Sequence, residues 1–147
     1  MIAIPEIPIL CPVALGEVRG EISEEIVGAV LTREHMPPWF LHARHATRAE
    51  DDIAGFDWAV YTRDVGRILL QVKSSKCGRD NFELHARHLR PHPMFRVHVV
   101  IVRPDMPLAE AQRRVIATCD GAREEASAAR ACADHWSLYP FLREVRA

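Results

Sequence analysis

The sequence predicts an α/β domain, a mixed central β-sheet flanked by helices. Three observations carry that expectation: an amphipathic helical stretch early in the chain, two alternating strands joined by turn residues, and a β-branched run followed by a long Ala-rich helical segment. A length of 147 residues suits one domain with a core of its own. Hydrophobic residues at 48% and charged residues at 27% are globular proportions, which exclude a disordered or collagen-like chain.

In Glu21–Glu34 the residues Ile22, Ile26, Val27, Val30 and Leu31 fall at helical spacing, and Pro37 and Pro38 forbid continuation. Residues 1–19, punctuated by Pro5, Pro8 and Pro12, are expected to be an N-terminal extension. The His- and Arg-rich connection that follows predicts a short helix near Trp39–Arg48. Phe56–Tyr61 and Arg67–Lys73, separated by the turn residues Arg63-Asp64-Val65-Gly66, predict a β-hairpin. Asp80 and Glu83 stand three apart, as a capping-box variant would, so a short helix is expected to start there and end before Pro91. Arg96–Val102 is β-branched at nearly every position, which predicts a strand covered on both faces at the sheet centre. The long helix expected from Leu108 to about His135 has a stripe of Leu108, Ala111, Val115, Cys119, Ala122, Ala126, Ala129 and Trp136, with Gly121 a point of kinking. Its small residues could also form a homodimer face. Residues 137–147 form an ambiguous tail.

The four cysteines form no C-x-x-C pair and read as buried thiols. No apolar run approaches a membrane span and no basic leader precedes the Pro-rich start, so a cytoplasmic protein without a membrane partner is expected. A net charge of −1 argues against a generic polycation, so any nucleic-acid contact must come from a local patch. One exists between Lys73 and Pro93, where Lys73, Lys76, Arg79, Arg87 and Arg90 outnumber Asp80 and Glu83. A nucleic-acid backbone needs such a patch, and an ordinary solvated loop would look the same.

Side chains alternate along a strand, so Asp57 shares a face with Ala59 and Tyr61 while Phe56, Trp58 and Val60 take the other. With the turn centred on Asp64, Asp57 lies across from Gln71, and Lys73 is the next residue on that face. A carboxylate, an amide and an ammonium converging at one sheet end suit metal-assisted phosphodiester hydrolysis: hard cations take oxygen ligands, and a lysine can neutralise developing charge. A cross-strand ion pair at the sheet rim would use Asp57 and Lys73 equally well.

Gly55-Phe56-Asp57, a turn, and Leu69-Leu70-Gln71-Val72-Lys73 resemble the core motif of the PD-(D/E)XK nuclease superfamily, in the G-x-D and Q-x-K form of Mrr-type restriction endonucleases. Glu24-x-x-Val27-x-x-x-Leu31 is similar to that superfamily's first helix, and the likeness spans roughly Glu21 to Glu125. The resemblance implies a restriction-endonuclease-like αβββα core, usually with a further strand after the second core helix. It also implies a Mg²⁺- or Mn²⁺-dependent endonuclease acting on DNA. Asp57, Glu24 and Gln71 would hold the metal, and Lys73 would be the catalytic lysine. Phe56 stands where the superfamily's name has proline, and Gln71 stands at the usual second acid. The alternative is the same fold kept as an inactive nucleic-acid- or protein-binding module. Carboxylates at Glu21, Glu24 and Glu25 are also what a helix start favours. A third possibility is zinc held by the paired histidines His42/His45 and His85/His88 on helices, with Cys77 or His92.

Overall fold

The computed structural model describes residues 12–89 and 96–137. Along the chain run α1 (Pro12–Val30), β1 (Phe40–His45), α2 (Arg48–Ala54), β2 (Trp58–Thr62), β3 (Gly66–Lys73), α3 (Lys76–Leu89), β4 (Val97–Ile101) and α4 (Leu108–Ser137). The sheet order is β1-β2-β3-β4, antiparallel through β3, with β4 parallel to β3. The parallel pair needs a crossover, which contains α3.

The apolar face of the hairpin, Val60, Ile68, Leu70 and Val72, packs with Val100 against Val27 and Val30 of α1 and Ala111, Val115, Cys119 and Ala122 of α4. On the other face a smaller cluster joins Ala59 and Leu69 to Ala46 and Phe56, with Ala54 of α2 against it. Phe56 therefore lies opposite to the face that parity assigned it. The reason is local, because regular strand begins only at Trp58 and alternation does not extend back through the bend at Asp57.

Other expectations are corrected. α1 starts nine residues before Glu21, with Pro12 in its first turn, where a missing N–H costs nothing. Its buried stripe is Ser23, Val27 and Val30, while Ile22 is exposed. Ser23 is tolerated there because its hydroxyl donates to the Arg19 carbonyl at 2.9 Å. Where a helix was expected near Trp39–Arg48, the chain forms β1, and the short helix follows it. α2 is bounded by a capping box between Thr47 and Glu50 and by Gly55 in the left-handed region (φ 61). α3 begins at Lys76, since the Ser75 hydroxyl accepts from Gly78 N at 3.1 Å; Asp80 and Glu83 lie inside the helix.

β4 lies at the sheet edge among the described residues, with only Val100 fully buried in it. α4 is continuous through Gly121, whose missing side chain faces open space; of the expected stripe Leu108 and Ala129 are exposed, as is all of Ser127–Ala133, and the Trp136 side chain lies outside the described residues. Only Cys119 is a buried thiol; Cys77 and Cys132 are exposed, and Cys11 lies outside the described residues, as does the tail beyond Ser137. No helix among the described residues is long and apolar enough to cross a membrane.

Candidate active site

The hairpin pairs Trp58 with Leu70, Ala59 with Leu69 and Tyr61 with Arg67. The ladder ends at the Trp58–Leu70 pair, and Asp57 stands one residue beyond it, in a bend. Asp57 is clamped by main chain on both sides. Its N–H donates to the Leu70 carbonyl at 2.8 Å, and its carbonyl accepts from Ala46 N at 2.7 Å. Where the ladder stops, the carboxylate Oδ2 accepts the Val72 N–H of β3 at 2.6 Å. Only 4% of Asp57 is exposed. Burial is the main force pushing its carboxyl up to about 7, the nearby charges of Glu24 and Asp51 push the same way, and the Val72 N–H and the Lys73 charge oppose them. Glu24 and Lys73 thus both lie within electrostatic reach of Asp57.

Gln71 is 5% exposed. Its Oε1 is buried and has no hydrogen-bond partner among the described residues. A carbonyl oxygen left so is costly, because desolvation is not offset. Lys73 ends β3, half-buried, with its Nζ 5.3 Å from the centroid of the Phe82 ring. Glu24 is half-buried on α1, its Oε2 3.3 Å from His45 Nε2. No acid occupies the first turn of α1, so the helix dipole does not account for Glu24.

Glu21, Glu24, Glu25, His45 and Trp58 line an open cavity of about 220 Å³ beside this group. His45 and Asp51 are members that sequence reasoning missed. The signal for Asp51 was the capping pattern Thr47-x-x-Glu50, which places α2 and turns Asp51 into the Asp57 environment. For His45 there was none, since its contact with Glu24 depends on β1 pairing with β2.

The histidine pairs are not matched helical pairs. His42 and His45 stand on a strand, where positions three apart face opposite ways. His42 stacks on Tyr61 with centroids 4.4 Å apart, and His45 meets Trp58 edge-on at 4.8 Å. His85 lies on α3, its Nδ1 donating to the Asn81 carbonyl at 2.8 Å, and the His88 and His92 side chains lie outside the described residues. Among the described residues no three His, Cys, Asp or Glu side chains are grouped to hold a metal ion. The two carboxylates Asp57 and Glu24 lie within electrostatic reach of each other, and the Gln71 amide is buried on β3. Of the basic patch, Lys76 is exposed at the start of α3 and Arg79 bonds Asp80 at 3.1 Å. The Arg87 side chain and all of Arg90 lie outside the described residues.

Compared with known proteins, the chain matches no family model, no curated protein and no solved structure.

Proposed function

We propose that this chain is a nuclease of the PD-(D/E)XK type, hydrolysing phosphodiester bonds in DNA with Mg²⁺ or Mn²⁺. The observation that carries the reading is a buried Gln71 Oε1 without a hydrogen-bond partner among the described residues, on the same strand whose Val72 N–H holds the buried Asp57 carboxylate. These two oxygen donors, with Glu24 within electrostatic reach of Asp57, are of the kind a hard divalent cation takes. Burial first, and then the charges of Glu24 and Asp51, raise the Asp57 pKa, and a bound cation would offset both. The element order also fits the resemblance: with α3 as the second core helix, β4 is the strand that follows it.

In this reading Asp57, Glu24 and Gln71 hold the cation. When bound, it would polarise a phosphate oxygen and lower the pKa of a water. Asp57, clamped by Leu70, Ala46 and Val72, fixes one donor in place, which limits reorganisation during the reaction. Lys73 presents an ammonium that neutralises charge developing on the phosphate. Lys76 and Arg79 extend positive charge along α3 for the DNA backbone.

The purified protein should cleave DNA with Mg²⁺ or Mn²⁺, and Asp57→Ala and Lys73→Ala should each abolish turnover without unfolding the chain. Absence of cleavage of single-stranded, duplex and branched DNA, with none created by Gln71→Glu, overturns the reading. The neutral Gln71 favours one alternative, the same fold as a DNA-binding module without catalysis, for which binding persists and cleavage is absent.

A further inference from the structure

We propose that Phe82 is a positioning residue for Lys73, its ring setting where the ammonium stands at the sheet end. The inference rests on the reading of Lys73 as the basic group of a nuclease site. Of the 19 basic residues in the chain only Lys73 and Lys76 are lysines. A flexible four-carbon stem with a compact charge must be held if it is to act at one place. Among the described residues Lys73 makes no ion pair with a carboxylate; its ammonium instead lies 5.3 Å from the Phe82 centroid, inside the range of cation–π attraction.

The first turns of α3 build this cradle. Ser75 caps the helix two residues after Lys73, which fixes α3 to the end of β3. Gly78 lies beside the lysine stem, so that a Cβ placed there would stand 3.6 Å from Lys73 Cδ and 3.7 Å from its Cβ. Phe82 follows Gly78 by four residues and shares its helix face. Its helix neighbours Asp80, Asn81, Glu83 and Leu84 are exposed. An aromatic face also differs from a carboxylate in one useful respect: it holds an ammonium without cancelling its charge, which stays available to a phosphate.

The test uses the full chain with 4-fluorophenylalanine at position 82 alone. Its ¹⁹F resonance should move on Lys73→Met and stay put on Lys76→Met; an unmoved resonance with Lys73→Met overturns the proposal whether or not the protein cleaves DNA. In cleavage assays Phe82→Leu, which keeps apolar volume, should lower kcat roughly fivefold with KM little changed. Phe82→Trp, with a stronger aromatic face, should restore it. Phe82→Leu cleaving as fast as wild type overturns the positioning role. A wild-type chain that shows the ¹⁹F response and cleaves nothing refutes the nuclease reading and leaves the Phe82–Lys73 placement standing.

Discussion

Replacing Asp57 by asparagine should remove a pH dependence of stability that this one buried carboxyl imposes. In the folded chain burial holds the Asp57 carboxyl up to about 7 against an ordinary 3.8. The folded state therefore binds the proton that the unfolded state has released, and the associated stability is present at low pH and lost as pH rises from about 4 through 7. Each pH unit inside that window is worth about 1.4 kcal/mol. From pH 5 to pH 8 the loss traced to this one group is about 2–3 kcal/mol, tapering above 7 as the folded carboxyl ionises. The asparagine oxygen can still accept the Val72 N–H, and whatever its NH₂ costs is the same at both pH values, so it cancels. Urea denaturation of wild type and Asp57→Asn at pH 5 and pH 8 gives four free energies. Wild type should fall by about 2–3 kcal/mol more than the variant between the two. Excess Mg²⁺ should flatten the wild-type curve and leave the variant's less changed, because a cation favours the ionised carboxylate. Parallel curves for the two proteins would refute the argument that Asp57 is a destabilising buried acid.

Further outcomes follow from the same geometry. Gln71→Glu should lower the Tm in EDTA at pH 8 by adding a second buried carboxylate, and Mn²⁺ should raise it more than in wild type; thermal melts check this. Gly28→Ala would bring a Cβ within 2.9 Å of Trp58 Cζ2, so the indole must move; denaturation should show a loss of about 1–3 kcal/mol with a shift in tryptophan emission. Glu50 is held down to about 2, first by its hydrogen bonds from Arg44. Its contribution is present above the ordinary value of 4.5 and lost as pH falls toward 2, so hydrogen-exchange protection over 48–54, relative to the intrinsic rate at each pH, should fall with acid in wild type and less in Glu50→Gln. Lys76→Glu and Arg79→Glu should each reduce the slope of log affinity for DNA against log salt by about one. Arg130→Glu should leave the slope unchanged, because Arg130 is occupied by the Asp64 carbonyl on the far side of the hairpin turn.

What the sequence made legible was the part governed by local periodicity. Two alternating strands and a four-residue turn were enough to set the register from Trp58–Leu70 to Thr62–Gly66, since the register of a tight hairpin follows from its turn centre. β1 was illegible for the opposite reason. Leu41-His42-Ala43-Arg44-His45 has little strand character of its own and is extended because Tyr61 and Trp58 of β2 supply the partners. Missing that strand made a helical pair out of His42 and His45. β4 erred in placement, not in type: a continuous β-branched run records apolar surroundings, and α3, α4 and β3 provide those at a sheet edge as well as a centre would. Thr47, Glu50 and Gly55 bound α2 and Ser75 caps α3, but other polar residues make equally good caps in isolation, so these boundaries were not legible.

The amide at position 71 becomes intelligible once the charges around Asp57 are considered together. Glu24 and Asp51 already push the Asp57 carboxyl upward, and Lys73 is the cation that opposes them. A carboxylate at 71, buried as Gln71 is, would add another negative charge to a group that in the absence of metal has one lysine to balance it, and would raise the Asp57 carboxyl further. An amide offers a carbonyl oxygen at the same place without that charge. On the proposed nuclease reading, that would trade metal affinity for a site that stays folded when empty, and Glu24 on α1 would supply the second carboxylate that the resembled motif carries on β3, so that Glu24 and Gln71 would act as one unit.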